Sequence, residues 1–238
     1  MTNSTTTPPQ SFGVLLFPGF ALLDACGPLE LLNGLSSVVP ITVSLIALDS
    51  LEPVATMISL ESLSHEFKKS FEQQKPRAVQ RLCPTHTLDD CPPLDVLVIP
   101  GGFGVPNASQ DERVLKFIAD SKAQTIITIC NGAGILASTG LLDGKKATTN
   151  KWWFKEVTSV RPQVNWVQKA RWVHEGRFWT SSGISSGMDV IAAYIRETYG
   201  EKIGELIPDI LEYTPELNPD NDPFVDTWKK HVPANQTK

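Results

Sequence analysis

An α/β fold, in which a mostly parallel sheet is covered by helices on both faces, is predicted by three features of the sequence. Short apolar runs recur along the chain, a glycine-containing turn closes most of them, and a helical pattern usually comes next. At 238 residues and 41% hydrophobic, the chain is long enough to bury a full core, and that length suits one α/β domain.

Phe12 to Phe17 is a nearly continuous apolar run that ends at Pro18-Gly19. It is followed by a helical stretch over 21–35, with Leu22, Leu23, Leu29, Leu31 and Leu32 largely buried and Pro28 placed to bend or restart it. Ile41 to Leu48 is a second strand. Asp95 to Ile99 is a third, ending at Pro100-Gly101-Gly102 before a helix over 112–119. Ile126 to Ile129 leads through Cys130-Asn131-Gly132-Ala133-Gly134 into a short helix over 135–142, stopped by Asp143-Gly144.

The pattern lapses over 50–94. His65 to Arg77 is polar and charged, Pro76 interrupts it and Cys91-Pro92-Pro93 marks a turn, so this stretch reads as a surface insertion with room for a short helix. Ala170 to Thr180 reads as a hairpin turning at His174-Glu175-Gly176, and Gly183 to Gly187 introduces a helix from Met188 to Tyr199. The domain is therefore expected to span 11–207. Residues 1–10, rich in Thr, Ser and Pro, form a disordered N-terminus. Residues 208–238 hold five of the 18 prolines and form an irregular, extended tail packed on the domain through Tyr213, Phe224 and Trp228.

A net charge of −5 with scattered Lys and Arg argues against nucleic acid as a partner. No stretch approaches the roughly 18 uncharged apolar residues of a membrane span, and the N-terminus lacks the apolar centre of a signal peptide. A cytoplasmic location is expected. Cys26, Cys83, Cys91 and Cys130 show no CxxC spacing and read as reduced thiols, with neither a metal nor a cofactor implied.

Cys130 carries the chemical interest. A cysteine directly after a buried strand and before a helix sits at the carboxyl edge of the sheet, where open α/β folds bind ligands. The helix N-terminus is expected to favour thiolate and lower the pKa below the free value of about 8.5. Gly132 and Gly134 permit a tight turn like the nucleophile elbow of hydrolases, although Thr128 stands where that motif has its first glycine. An inert core thiol fits the same local pattern.

Phe17-Pro18-Gly19 with Leu23-Asp24-Ala25-Cys26-Gly27-Pro28, then Val98-Ile99-Pro100-Gly101-Gly102, Ile129-Cys130-Asn131-Gly132-Ala133, Gly140-Leu141-Leu142-Asp143-Gly144-Lys145-Lys146-Ala147-Thr148-Thr149 and Thr180-Ser181-Ser182-Gly183-Ile184-Ser185-Ser186-Gly187-Met188-Asp189 follow one another in order. Together they resemble the ThiJ/PfpI superfamily, and within it the branch that includes isocyanide hydratase. The Thr-Thr-Asn-Lys and Trp-Thr-Ser-Ser-Gly wording is similar to that of fungal members.

The resemblance implies a flavodoxin-like, class I glutamine amidotransferase-like sheet and a homodimer. It also implies a hydrogen bond between Cys130 and a carboxylic acid of the first helix, here Asp24. An acid in the apolar run Ala21 to Cys26 would be desolvated and its pKa raised, fitting it to exchange a proton with sulfur; on local sequence alone it could equally be a capping acid. Backbone N–H groups of Gly101, Gly102 and Asn131 would stabilise an anion on the substrate. Asn150, Ile184 and Ser185 would line the pocket and Trp152, with Trp153 and Phe154, its mouth; on local sequence alone the aromatic residues fit the packing of an amphipathic helix equally, and Ile184 to Gly187 the entry to the last helix.

Two departures narrow the chemistry. Asn131 stands where family proteases have His, and Asn150 where other relatives have one, so no Cys-His-acid triad can be assembled. His65, His86, His174 and His231 are read as exposed loop residues. The expected activity is therefore a cysteine-dependent hydratase or lyase acting on a small electrophile, as in the conversion of an isocyanide to an N-substituted formamide. Glyoxalase or deglycase action on 2-oxoaldehydes is one alternative, and a redox sensor or chaperone working through oxidation of Cys130 is another. Transcriptional regulation is not expected, because no residues remain after Tyr199 for a helix-turn-helix domain.

Overall fold

A computed structural model describes residues 8–57 and 78–227. The short helix allowed for within 58–77, His65, Trp228, His231 and the first seven residues lie outside the described residues.

The apolar runs form the sheet that the sequence predicts. Strands β1 (Ser11–Leu16), β2 (Thr42–Ala47), β6 (Val96–Ile99) and β7 (Thr125–Thr128) are parallel, with Phe12 opposite both Val43 and Val96, and Ile99 opposite Thr128. Near-continuous burial along β1, β6 and β7 follows from helices covering both faces, which removes any reason for a polar side to alternate. The hairpin β10 (Trp172–Glu175) and β11 (Phe178–Ser181) extends one edge: β11 runs parallel to β7 and β10 antiparallel to β11. With β5 (His86–Thr87) at the far edge, the full order is β10-β11-β7-β6-β1-β2-β5.

The insertion departs from the sequence reading. It does not lie wholly on the surface, because β5 (His86–Thr87) pairs with Ile46 and Ala47 of β2 and so becomes the other edge of the main sheet. The two-residue strands β3 (Val54–Ala55) and β4 (Arg81–Leu82) pair antiparallel beside it. Segments this short carry no readable period, which is why the pattern lapses in the sequence. His86 accordingly belongs to a strand, and its ring nitrogen lies 2.9 Å from the Thr85 hydroxyl.

Helix α1 (Leu22–Ser36) runs without interruption through Pro28. Leu31, Leu32 and Leu35 are fully buried, whereas Leu23 faces outward. Short α2 (Val105–Ala108) and amphipathic α3 (Glu112–Asp120) follow β6, and the Asp111 side chain caps α3 through the Arg113 N–H. Helix α4 (Ala133–Ser138) is only six residues long and is preceded by a 3₁₀ turn at Cys130–Gly132. After β8 (Lys146–Ala147), α5 (Phe154–Val160) and β9 (Asn165–Trp166), the chain makes the hairpin and then α6 (Ser186–Tyr199).

Helix α7 (Glu201–Ile210) continues three residues past the expected boundary, with Pro208 inside it. Pro208 has no N–H to give the Gly204 carbonyl, and the helix ends two residues later, where the Leu211 N–H donates to both the Ile207 and Pro208 carbonyls. Beyond it the described tail is irregular, as predicted.

Sequence order reverses beside β1, since β2 extends the sheet on one side and β6 on the other. The loops after β1, β6 and β7 therefore converge at this switch point, on the carboxyl edge where α/β sheets open a crevice. Backbone bonds stitch them together: the Ala21 N–H donates to the Gly101 carbonyl at 2.8 Å, the Gly104 N–H to Gly19 at 3.0 Å, and Phe20 bridges to Gly102. Gly102 has φ +133°, and a Cβ there would lie 2.2 Å from the Gly19 carbonyl oxygen, against rigid backbone. Gly102→Ala is expected to cost more than about 3 kcal/mol, measured by urea unfolding, because torsional strain and overlap add.

Candidate active site

Cys130 stands at the end of β7 with φ +57°, a left-handed conformation that non-glycine residues rarely adopt. Its surroundings hold it there. Its N–H donates to the Ser182 carbonyl at 2.9 Å, its own carbonyl accepts from the Thr149 hydroxyl at 2.9 Å, and the Gly132 N–H returns to Ile129 at 3.0 Å. Gly101 packs against it so closely that a Cβ on that glycine would lie 2.8 Å from the Cys130 Cβ. The sulfur belongs to a residue only 5% exposed, yet it lines a cavity of about 290 Å³.

Asp24, in the first turn of α1, is fully buried and electrostatically coupled to that thiol. Its Oδ2 accepts from the Gly101 N–H at 2.9 Å, while Oδ1 has no hydrogen-bond partner among the described residues. The carboxyl–sulfur hydrogen bond implied by the family resemblance is therefore not made here, although Asp24 is near enough to act on the thiol electrostatically. Burial, only partly offset by the Gly101 N–H, raises the Asp24 pKa to about 7.

The acidified thiol expected from the sequence is not what forms. Burial and the neighbouring Asp24 charge push Cys130 up to about 12, against the opposing pull of the Ile184 and Asn131 N–H groups and the Asn150 amide. Six residues of α4 make a weak dipole, and desolvation outweighs it. At neutral pH the pair thus rests as a protonated thiol beside an acid poised between its two states. That arrangement suits a base that takes the thiol proton as sulfur attacks.

The expected anion donors are also redistributed. The Gly101 N–H is committed to Asp24, and the Gly102 N–H to the Asn131 Oδ1 at 2.7 Å, with Asn131 Nδ2 donating back to the Gly102 carbonyl at 3.0 Å. Neither glycine is left to meet a substrate anion. The N–H groups that reach the sulfur are those of Asn131 and Ile184. Ile184, with φ +23°, is itself held in a strained conformation that aims its N–H inward.

Asn150, Trp153 and Ile184 line the thiol cavity, whereas Trp152 and Ser185 line a second cavity that shares Asn150 and Ile184 with it. Asn150 is oriented by the Trp153 N–H, which donates to its Oδ1 at 3.0 Å. Thr56, Met57, Ala78 and Gln80 of the insertion also line the thiol cavity, which the sequence reading did not anticipate. The residue after Asn150 is a further buried charge that no motif marks. Lys151 is buried, its ammonium donating to the Thr148 hydroxyl and to the Thr149 and Ala170 carbonyls at 2.9–3.0 Å and pairing with Asp222 of the tail at 3.3 Å. Burial lowers its pKa to about 8 despite that partner. His174 stacks on Trp179 and His86 lies on the sheet edge, and neither lines the thiol cavity. No cluster of three or more metal-ligating side chains occurs among the described residues.

A flavodoxin-like α/β domain with a buried cysteine on a left-handed elbow, paired with an acid from the first helix, defines the class. The chain belongs to the DJ-1/PfpI family, whose model matches residues 11–197. It is 34% identical over 205 residues to an isonitrile hydratase of Pseudomonas putida, a match that covers 85% of this chain and 78% of that protein. It is also 24% identical over 208 residues to the HTH-type transcriptional regulator GbdR of Pseudomonas aeruginosa, but spans only 51% of that protein's length. Among solved structures, a ThiJ/PfpI family protein from Pseudomonas syringae superposes with a TM-score of 0.70 at 25% identity, covering 91% of this chain and 81% of that one. DJ-1beta of Drosophila melanogaster superposes with a TM-score of 0.66 at 19% identity, covering 86% of this chain and 98% of that one.

Proposed function

We propose that the chain hydrates isonitriles, converting R–N≡C and water to the N-substituted formamide R–NH–CHO, with Cys130 as nucleophile and Asp24 as the proton carrier. The observation that carries this reading is the pairing itself: a protonated thiol in a small cavity beside a buried acid whose pKa lies near 7 and whose Oδ1 is uncommitted. The 34% identity to an isonitrile hydratase supports the substrate class.

Asp24 takes the thiol proton as sulfur bonds to the isonitrile carbon, then delivers that proton to the same carbon, leaving a thioimidate. Water adds to the thioimidate carbon, and Asp24 relays one of its protons to nitrogen. When the C–S bond breaks, the hydroxyl proton passes through Asp24 to the departing sulfur, so thiol and carboxylate return to their starting states. The Asn131 and Ile184 N–H groups and the Asn150 amide support negative charge on sulfur throughout. No poor amine leaves, so the missing histidine is no obstacle.

The placement within the isocyanide-hydratase branch, the likeness to fungal members, the homodimer and a cytoplasmic setting form part of the same reading; light scattering that found only monomer would remove the dimer. Among the described residues, no helix is long and apolar enough to cross a membrane. The decisive assay incubates the protein with an alkyl isonitrile or with methylglyoxal, following formamide by NMR and aldehyde by derivatisation. Formamide with little aldehyde loss is expected. Aldehyde loss alone would favour a glyoxalase, and sulfinate on Cys130 without turnover of either compound would favour the redox sensor.

A further inference from the structure

Two chains of contacts leave the C-terminal tail and meet at one residue. On one side the Pro219 carbonyl accepts from the Arg171 N–H at 2.6 Å, the Arg171 carbonyl from the Ser182 N–H at 2.9 Å, and the Ser182 carbonyl from the Cys130 N–H at 2.9 Å. On the other, Asp222 pairs with the Lys151 ammonium at 3.3 Å, which donates to the Thr149 carbonyl at 3.0 Å, and the Thr149 hydroxyl donates to the Cys130 carbonyl at 2.9 Å. The two chains are also tied to each other, since Lys151 donates to the carbonyl of Ala170, the residue before Arg171, at 2.9 Å. Both polar groups of the Cys130 backbone are therefore held from the tail.

The charges of the second chain suit this role. Lys151 has three N–H donors, and they go to the Thr148 hydroxyl and to the Thr149 and Ala170 carbonyls. Asp222 consequently offers charge rather than a hydrogen-bond acceptor: its Oδ2 faces the ammonium yet has no hydrogen bond among the described residues, while Oδ1 accepts from the Phe224 N–H at 2.9 Å. Both side chains are buried, and a hydrocarbon pair of similar length would fill the space without the desolvation cost. Hydrocarbon could not, however, join the 148–149 loop, Ala170 and the tail at one point. The tail is also anchored independently of this pair, where the Glu216 N–H donates to Asp189 Oδ1 at 3.0 Å and Asp189 meets the buried Arg171 guanidinium at 2.6 Å.

A left-handed backbone at a non-glycine residue persists only where its surroundings over-determine it, and Cys130, at φ +57°, has that need. We infer that Lys151 and Asp222 are positioning residues: through Thr149, and with the Arg171–Ser182 chain on the opposite side, they hold the Cys130 elbow in the conformation that presents its sulfur to the cavity. The inference rests on Cys130 being the reacting group. It adds to the hydration reading two residues that act through the backbone of Cys130 rather than on the substrate.

Losing one charge alone would leave the other buried and unpaired, and the resulting instability would obscure the question. Lys151→Met combined with Asp222→Leu removes both charges and largely keeps the volume, so its urea midpoint should stay close to wild type. Its kcat for formamide should nevertheless fall about tenfold with KM unchanged, because the nucleophile is displaced and substrate binding is not. Amide exchange at Cys130, followed by NMR, should quicken at least about tenfold while the buried strands β1 and β6 exchange as in wild type. Thr149→Val leaves the ion pair intact, cuts its link to Cys130 and should produce the same two changes. A pair that serves stability alone would give wild-type kcat and wild-type exchange at Cys130 in both proteins, and that result would overturn the inference. Should the double variant fail to fold, Thr149→Val decides by itself on the same criterion. The exchange readout needs no substrate: a wild type that forms no formamide would sink the hydratase reading, while quickened exchange at Cys130 in the variants would still uphold the brace.

Discussion

Cys130→Ser is expected to lower formamide production by at least about 10³-fold, and Asp24→Asn by roughly 10²- to 10³-fold, with the fold intact in both. Serine keeps the shape of the elbow but puts a poor nucleophile and a poor leaving group at its tip, and both the attack and the release step suffer. Asparagine can still accept from the Gly101 N–H, so the loop after β6 stays in place, but it cannot carry a proton. The pH profile tells these losses apart from simple misplacement. Asp24 must be ionised to receive the thiol proton, and its pKa is raised to about 7, so wild-type kcat/KM should rise with pH through about 7 and then level. Residual Asp24→Asn activity should lack that limb. A variant that retained the wild-type profile at reduced height would show that some other group supplies the base, and a fully active Cys130→Ser would end the proposed mechanism.

What the sequence revealed depended on range. The buried strands were legible because β1 and β6 are short, nearly continuous apolar runs closed by Pro-Gly turns, and β7 sets Ile126 and Ile127 between β-branched threonines; shortness, flanks and β-branching together name a buried strand. Cys130 was legible because a strand, a cysteine and two glycines lie within a few residues. The two-residue strands of the insertion were not, since their pairing with β2 and with each other is decided by partners tens of residues away. The same holds for the electrostatics. A local reading of Cys130 sees a helix after it and infers a lowered pKa. The outcome is set by burial and by Asp24, more than a hundred residues earlier, and these raise it instead. Likewise Gly101 and Gly102 offer N–H groups in the sequence, but only the folded chain shows that Asp24 and Asn131 have already engaged them. Lys151 next to Asn150 carried a faint signal, a lone lysine in a run of Thr, Asn and Trp. Its partner Asp222 lay in a tail that proline content marks as irregular, which says nothing about what it touches.

The same buried acid makes a prediction about stability that needs no substrate. In the unfolded chain Asp24 titrates near 3.8, and in the folded one near 7. Below 3.8 both states carry the proton and the carboxyl costs folding nothing. Above 7 both are ionised, and only the folded state must hold the charge out of water. Folding stability tied to this group is therefore fully present in acid and is lost as pH rises through about 7, by an amount on the order of 4 kcal/mol. Asp24→Asn has no charge to bury. Measured by urea unfolding, its stability relative to wild type should improve by several kcal/mol between pH 4 and pH 8.5, with most of the change between pH 4 and 7. This is the direction expected if the domain gives up stability to keep an ionisable acid beside its thiol. A difference between the two proteins that stayed constant across that range would mean that the carboxyl is solvated in the folded state, and the proton relay assigned to it would lose its physical basis.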